Sequence, residues 1–268
     1  MNARQDKPKQ EVIVSLTSFP AAISYAVGAV RSILAGSVLP DKVVLYLTFA
    51  QFDSEGIPIP EELTALAKEN PVFEIRNYAP DIRSYRKLIP ALTDFPEAVI
   101  VTVDDDVNYR PHMLRDLLRF HEQYPDVIVA HRAKRVIPEK PYRKWPKFRW
   151  YHFLLKRIHL GYDCIQTGCG GVLYPPHSLK QEMMDLSIFT QLAPTTDDFW
   201  FWGAAVFNNT KVFPVPFGPH NKPRSLGKPR ELSLKTVNFK AGKDRNDVAF
   251  HTILEKYPII KKRLEDGQ

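Results

Sequence analysis

The chain of 268 residues is 44% hydrophobic and 25% charged, with 23 prolines against 12 glycines, which supplies a sizeable core and excludes a disordered chain or a coiled coil. Its net charge of +7 is concentrated, because residues 131–160 hold ten Lys or Arg and one acid, Glu139, leaving −2 for everything else. No apolar run approaches the roughly 18 residues of a membrane span, and the polar stretch from Met1 to Glu11 lacks the apolar centre of a signal peptide.

Residues 11–16 read as a buried strand, and 23–35, with Ile23, Val27, Val30, Ile33 and Leu34 on one stripe, as the helix that follows. Residues 42–47 form a second strand, 60–69 a short helix opening on Pro-Glu-Glu, and 72–76 a third strand. A helix is predicted over 85–92. The run 98–103 is the clearest central strand, apolar on both faces, and a helix follows from Pro111 with Met113, Leu114, Leu117, Leu118 and His121 as its stripe. Residues 127–130 make another strand. Strands and helices alternating in this way predict an α/β fold with a mostly parallel sheet covered on both faces. After residue 131 the alternation gives way to a basic, aromatic and proline-rich stretch, then a Gly-rich turn before a strand at 172–174, then a helix over 197–207, so the second half is expected to decorate the sheet of a single domain.

Asp104-Asp105-Asp106 follow directly on the apolar strand, at the carboxyl end where ligands of open α/β sheets bind. Three adjacent carboxylates repel one another unless a divalent cation with hard oxygen ligands offsets the repulsion, which implies Mg2+ or Mn2+; in an extended chain Asp104 and Asp106 project alike. The plain alternative is an acidic turn capping the helix at Pro111. Cys164 and Cys169 match neither a zinc nor a redox spacing and read as small buried residues in a reducing compartment. The basic stretch carries Tyr142, Trp145, Phe148, Trp150, Tyr151 and Phe153, a mixture suited to an anionic membrane interface or a phosphate-bearing partner, or else a solvated loop over core aromatics. Nucleic acid is not expected, because the acidic cluster repels phosphates unless metal is present. A cytoplasmic protein, soluble or peripheral on the inner face of the cytoplasmic membrane, is the expectation.

Val-Thr-Val-Asp-Asp-Asp at 101–106 resembles the Asp-x-Asp motif of nucleotide-sugar-dependent glycosyltransferases of the GT-A fold, in particular bacterial enzymes of capsule and lipopolysaccharide assembly, with exostosin-like transferases more distant. Segments at 14–20, 81–90, 167–176 and 194–202 are similar, in the same order, to that group's pattern. The resemblance implies a single GT-A-like catalytic domain, with about 12–130 as its nucleotide-binding half and about 131–250, including the basic aromatic insertion 131–160, as its acceptor-side half, and assigns Thr17, Ser18 and Pro20 to the nucleoside, Asp81 to the base, Lys87 to the diphosphate, and Asp104 and Asp105 to the bound nucleotide. Thr17 and Ser18 serve equally as helix caps. It further implies a metal on Asp104, Asp106 and His220, Gly170 and Gly171 beside the donor sugar, and Asp198, with Asp197 as the alternative, as the base. Trp200 and Trp202 beside that pair have two readings, stacking on a sugar face or packing in the core, the commoner fate of tryptophan. The activity so implied is metal-dependent transfer of a hexosyl or N-acetylhexosaminyl group from a nucleoside diphosphate sugar to a hydroxyl of a surface polysaccharide or lipid-linked saccharide, with inversion as the expectation and retention, as in the exostosin-like transferases, as the alternative. A non-catalytic sugar-nucleotide or polysaccharide binding module, and a metal-dependent phosphatase or nuclease, are the competing readings.

Overall fold

Runs of β-branched and aliphatic residues set seven strands side by side: β1 (Val12–Thr17), β2 (Lys42–Leu47), β3 (Phe73–Asn77), β4 (Val99–Thr102), β5 (Ile128–Ala130), β6 (Val172–Tyr174) and β7 (Val212–Pro214). The computed structural model describes residues 10–218, 222–239 and 244–267. In the sheet the order is β7-β5-β6-β4-β1-β2-β3. Neighbours run parallel except β6, which lies antiparallel between β4 and β5. Val14 of β1 stands beside Val43 on one side and Val101 on the other.

Alternate residues feed two cores, as the two-residue period of a strand requires. Ile13, Val44 and Ile100 enter one core, covered by the helices Asp197–Phe207, Arg245–Lys256 and Pro258–Asp266. Val14, Val43 and Val101 enter the other, under the helices Ile23–Leu34, Glu61–Glu69 and Met113–Gln123. Ile23–Leu34 buries Ile23, Ala26, Ala29, Val30 and Ile33, the 3.6-residue stripe of a helix with one face inward. The expected mostly parallel α/β sheet covered on both sides is therefore present.

Three local expectations change. The helix predicted over 85–92 is a 3-10 turn, Arg83–Lys87, and a separate helix, Ile89–Asp94, in which Pro90 sits in the first turn; lacking an N–H, proline fits where a helix begins rather than where one continues. The helix after Pro111 begins at Met113. Rather than decorating the sheet, the second half supplies β6 and β7. Two small antiparallel pairs then bring distant segments to the sheet's carboxyl edge: Val107–Asn108 with Arg224–Ser225, and Ala133–Arg135 with Cys164–Gln166. Among the described residues no helix is long and apolar enough to cross a membrane.

Candidate active site

A cleft of about 1150 Å³ opens at the carboxyl ends of β1 and β4. Thr17, Ser18, Asp81, Lys87, Asp104, Asp105, Asp106, Asp197 and Asp198 all line it. Ser18 and the acidic triplet arrive there because both strands end at the same level, Ser15 pairing with Thr102. The pair Asp197-Asp198 arrives at the amino terminus of its helix, where a carboxylate is favoured by the dipole.

Lys87 is the hub. Its Nζ lies 3.0 Å from Asp104 Oδ1 and 3.1 Å from Asp197 Oδ2. Burial alone drives an ammonium toward neutrality, but the charges of Asp104, Asp197 and Asp198 more than offset it and hold Lys87 protonated well above the usual lysine range. Asp104 is held below the usual carboxylate range because Lys87 outweighs the opposing effect of burial. Its backbone N–H donates to the Tyr109 hydroxyl at 2.8 Å, which pins the start of the acidic turn. Gly168 faces the centre of this cluster, where an added Cβ would stand 2.7 Å from Lys87 Nζ, 3.3 Å from Asp198 Oδ1 and 3.5 Å from Asp104 Oδ1. A side chain here would displace the Lys87 ammonium from the point where the two acidic segments converge on it.

Asp198 differs from its neighbours. Its Oδ1 accepts the Gly168 N–H at 2.9 Å, yet burial first and the adjacent Asp197 charge second push its pKa up to about 7. A carboxyl poised there exchanges a proton near neutrality.

The acidic triplet does not run extended. A turn at Asp105 and Asp106 separates its carboxylates, so that Asp104 reaches Lys87 whereas Lys228 Nζ sits 2.9 Å from both Asp105 Oδ1 and Asp106 Oδ2. The expectation that Asp104 and Asp106 project alike is corrected by this turn. Ser18 Oγ donates to Asp105 Oδ2 at 2.5 Å, and burial raises the Asp105 pKa in spite of both partners. Two carboxylates gathered about an ammonium form a hard oxygen set of the kind Mg2+ or Mn2+ takes, so the residues present fit such an ion. Among the described residues, the one place where three His, Cys, Asp or Glu ligand atoms already lie within 4.8 Å of one another is His159, Asp163 and Cys164, well outside the triplet. His220 lies outside the described residues.

Thr17 and Ser18 cap no helix. Thr17 Oγ1 donates to the Tyr46 carbonyl at 2.8 Å and accepts from Arg86 Nε at 2.9 Å. Arg86, which sequence reasoning missed, is fully buried, bonds Thr48 Oγ1, and lies 3.6 Å from Asp81 Oδ1. Burial lowers its pKa and Asp81 partly restores it. Asp81 itself sits at the exposed rim and accepts the Arg83 N–H at 3.0 Å. Pro20 is buried in the turn Pro20–Ala22, and Phe19 takes its place on the cleft wall.

Of the two readings of Trp200 and Trp202, stacking on a sugar is corrected and core packing holds. Trp200 and Trp202 are wholly inside the core, their indole N–H groups donating to Met183 O at 2.6 Å and Tyr162 O at 2.9 Å, so neither presents a face to a ligand. Gly171 also lies away from the cleft, with φ at +92° and Met113 3.1 Å from where its Cβ would be; Gly168 and Cys169 stand in the cleft wall instead, and Gly170 lines a neighbouring groove. Of the basic stretch, Trp145 is buried against Phe250, ring centroids 4.9 Å apart, whereas Trp150 and Tyr151 are exposed. Arg132, Lys134, Tyr142, Arg143 and Lys147 reach the cleft, and the Arg132 guanidinium bonds Cys169 Sγ. Cys164 is buried, as expected of a small core residue, whereas Cys169 is not fully so.

No family model and no curated protein matches the chain. Among solved structures it is similar to a mannosyltransferase from Pyrobaculum calidifontis in complex with GDP-Man and Mn2+ (12% identity, 96% of this chain, 74% of that one, TM-score 0.48). It is also similar to 4-diphosphocytidyl-2C-methyl-D-erythritol synthase from Anaerococcus prevotii (11%, 80% and 90%, TM-score 0.49). A third is glucosyl-3-phosphoglycerate synthase from Mycobacterium tuberculosis in complex with Mn2+, UDP and glucosyl-3-phosphoglycerate (14%, TM-score 0.34); the match covers 46% of this chain and 43% of the synthase. Likenesses this distant assign no substrate to the cleft, whose chemistry rests on its own residues.

Proposed function

We propose that the protein is a metal-dependent glycosyltransferase that moves a sugar from a nucleoside diphosphate to an acceptor hydroxyl. The observation that carries this reading is the convergence, in one cleft, of the Asp104–Asp106 turn with an acid pair whose second member titrates near 7. A phosphate-binding site has no need of the second feature, and a simple acid-base site has no need of the first.

Asp106, with the neighbouring carboxylates of Asp104 and Asp105, would hold a Mg2+ or Mn2+ ion; His220, which the resemblance adds as a third ligand, lies outside the described residues. Bound there, such an ion neutralises charge that develops on a leaving diphosphate. Thr17, Ser18, Asp81 and Arg86 form the nucleoside end of the cleft, and Lys87 places a fixed positive charge between the two acidic segments. Asp198 takes the proton of the acceptor hydroxyl as its oxygen bonds to the anomeric carbon and the bond from that carbon to the diphosphate oxygen breaks. The sugar inverts if the hydroxyl attacks opposite that oxygen.

The acceptor is read as a surface polysaccharide or a lipid-linked saccharide. Trp150 (41% exposed), Tyr151, Leu154 (74%) and Leu155 (53%) form an apolar outer face beside Arg149, Lys156 and Arg157, which suits the anionic inner face of a membrane.

Calorimetry with Mn2+ and a panel of nucleoside diphosphates tests the donor half of this reading. Binding should require the metal and be lost in Asp106→Ala, with the fold retained by circular dichroism. Undiminished affinity in that variant, or in excess chelator, overturns the metal role.

A further inference from the structure

Beside the main cleft lies a second groove of about 710 Å³, and the two share Asp106, Arg132, Lys147 and Cys169. None of Thr17, Ser18, Asp81 or Lys87 lines it, so it is separate from the nucleoside end. Its charge is one-sided. Among the described residues Arg132, Lys147, Arg149, Lys222 and Arg224 line it against a single carboxylate, Asp106, which is already 2.9 Å from Lys228. A concave surface with this excess of one sign focuses its potential on an incoming anion.

The groove also has aromatic walls in Phe148, Trp150 and Phe217. Phe217 stacks on His131 with centroids 4.2 Å apart and planes at 18°. His131 is in turn fixed, its ring nitrogens 2.8 Å from Val215 O and 2.9 Å from Met113 O, so that wall is rigid. Trp150, 41% exposed, is the one tryptophan of the chain that is not buried. Guanidinium groups suit phosphate oxygens through their paired donors, and an exposed indole suits the apolar face of a sugar ring.

We propose that this groove receives the acceptor by a phosphate ester or diphosphate group, with Arg149 and Arg224 on the phosphate and Trp150 against the adjoining sugar. The proposal rests on the glycosyl-transfer reading for the word acceptor; the phosphate site itself stands on the groove alone. The phosphate comes either from a soluble sugar phosphate or from a lipid carrier, and the same cations serve both.

The test measures binding of glucose 1-phosphate, of glucose, and of a prenyl phosphate held in neutral phosphatidylcholine nanodiscs, to the full chain and to its Arg149→Glu/Arg224→Glu variant. Wild type should prefer glucose 1-phosphate to glucose by about tenfold or more, and the double reversal should remove that preference while Arg149→Lys/Arg224→Lys keeps most of it. Nucleoside diphosphate affinity with Mn2+ should be unchanged in both variants, which also reports that they are folded. Binding confined to the prenyl phosphate and lost on reversal supports the proposal with a lipid source. Failure of both phosphate probes, equal binding of glucose and its phosphate, or indifference to the reversal overturns it. So does a single-stranded oligonucleotide that displaces the sugar phosphate at lower concentration. If phosphate binding behaves as expected but no nucleoside diphosphate binds the wild type, the donor reading fails and the groove remains.

Discussion

At the centre of the main cleft positive and negative side chains are matched one against another, whereas the lining of the adjoining groove carries an excess of one sign. Lys87 answers Asp104 and Asp197, and Lys228 answers Asp105 and Asp106. Among the described residues the groove is lined by five cations, two of them shared with the cleft, and by one carboxylate, Asp106. A matched, buried cluster is organised before any ligand arrives, which is how a site stabilises charge developing in a reaction; an unmatched surface obtains its counter-charge from the molecule it binds. Burial drives both Asp105 and Asp198 toward the protonated form, but Asp105 is answered by Lys228 whereas Asp198 accepts the Gly168 N–H, an exception to the matching of charges that our reading assigns to proton exchange.

The largest expected effect removes that exception. Asp198→Asn keeps the size and the oxygen that accepts from Gly168, and should lower turnover by roughly two to four orders of magnitude in a transfer assay while donor binding persists. Activity within a few-fold of wild type would move the base to Asp197. The same pair of proteins carries a pH signature. With its folded pKa near 7, above the ordinary 3.8, Asp198 takes up a proton on folding, so its contribution to stability is complete below about pH 4 and is lost as the pH rises toward 7. The melting temperature of Asp198→Asn should therefore gain on that of wild type between pH 4 and 8, and parallel curves would refute the shift.

Next in size is the matched cluster itself. Lys87→Met leaves Asp104 and Asp197 facing each other without the shared ammonium, which should cost about 3–5 kcal/mol in denaturant unfolding. A loss below about 1 kcal/mol would show that the pairing is solvent-screened and that the contrast between cleft and groove is weaker than drawn.

The smallest effect belongs to the outer face beyond the groove. Leu154→Asp/Leu155→Asp changes two exposed residues that line neither the cleft nor the groove. Sedimentation with anionic vesicles should fall several-fold while nucleotide binding is untouched. Equal sedimentation of both proteins, or none for wild type at low salt, would leave this face as solvated surface.

By itself the sequence determined the layered alternation, since apolar runs such as Val99–Thr102 and stripes such as Ile23 to Ile33 are local patterns with the periods of strand and helix. It also placed the acidic triplet at a carboxyl end, because that is an adjacency along the chain. The tertiary structure alone decided which charges meet. Lys228 lies more than 120 residues from the carboxylates it bridges and arrives through the pairing of Val107–Asn108 with Arg224–Ser225. Arg86 is buried against the hydroxyls of Thr17, at the end of β1, and Thr48, just past β2, which no periodicity in Arg-Ser-Tyr-Arg-Lys announces. The tryptophans show the same division. Trp200 and Trp202 stand beside the acid pair in sequence, but their helix is buried almost all round, while Trp150, far from any acidic residue in the chain, is carried to a groove wall. Neighbours in sequence fix backbone period and end; which side of an element meets a ligand depends on the long-range packing that covers its other sides.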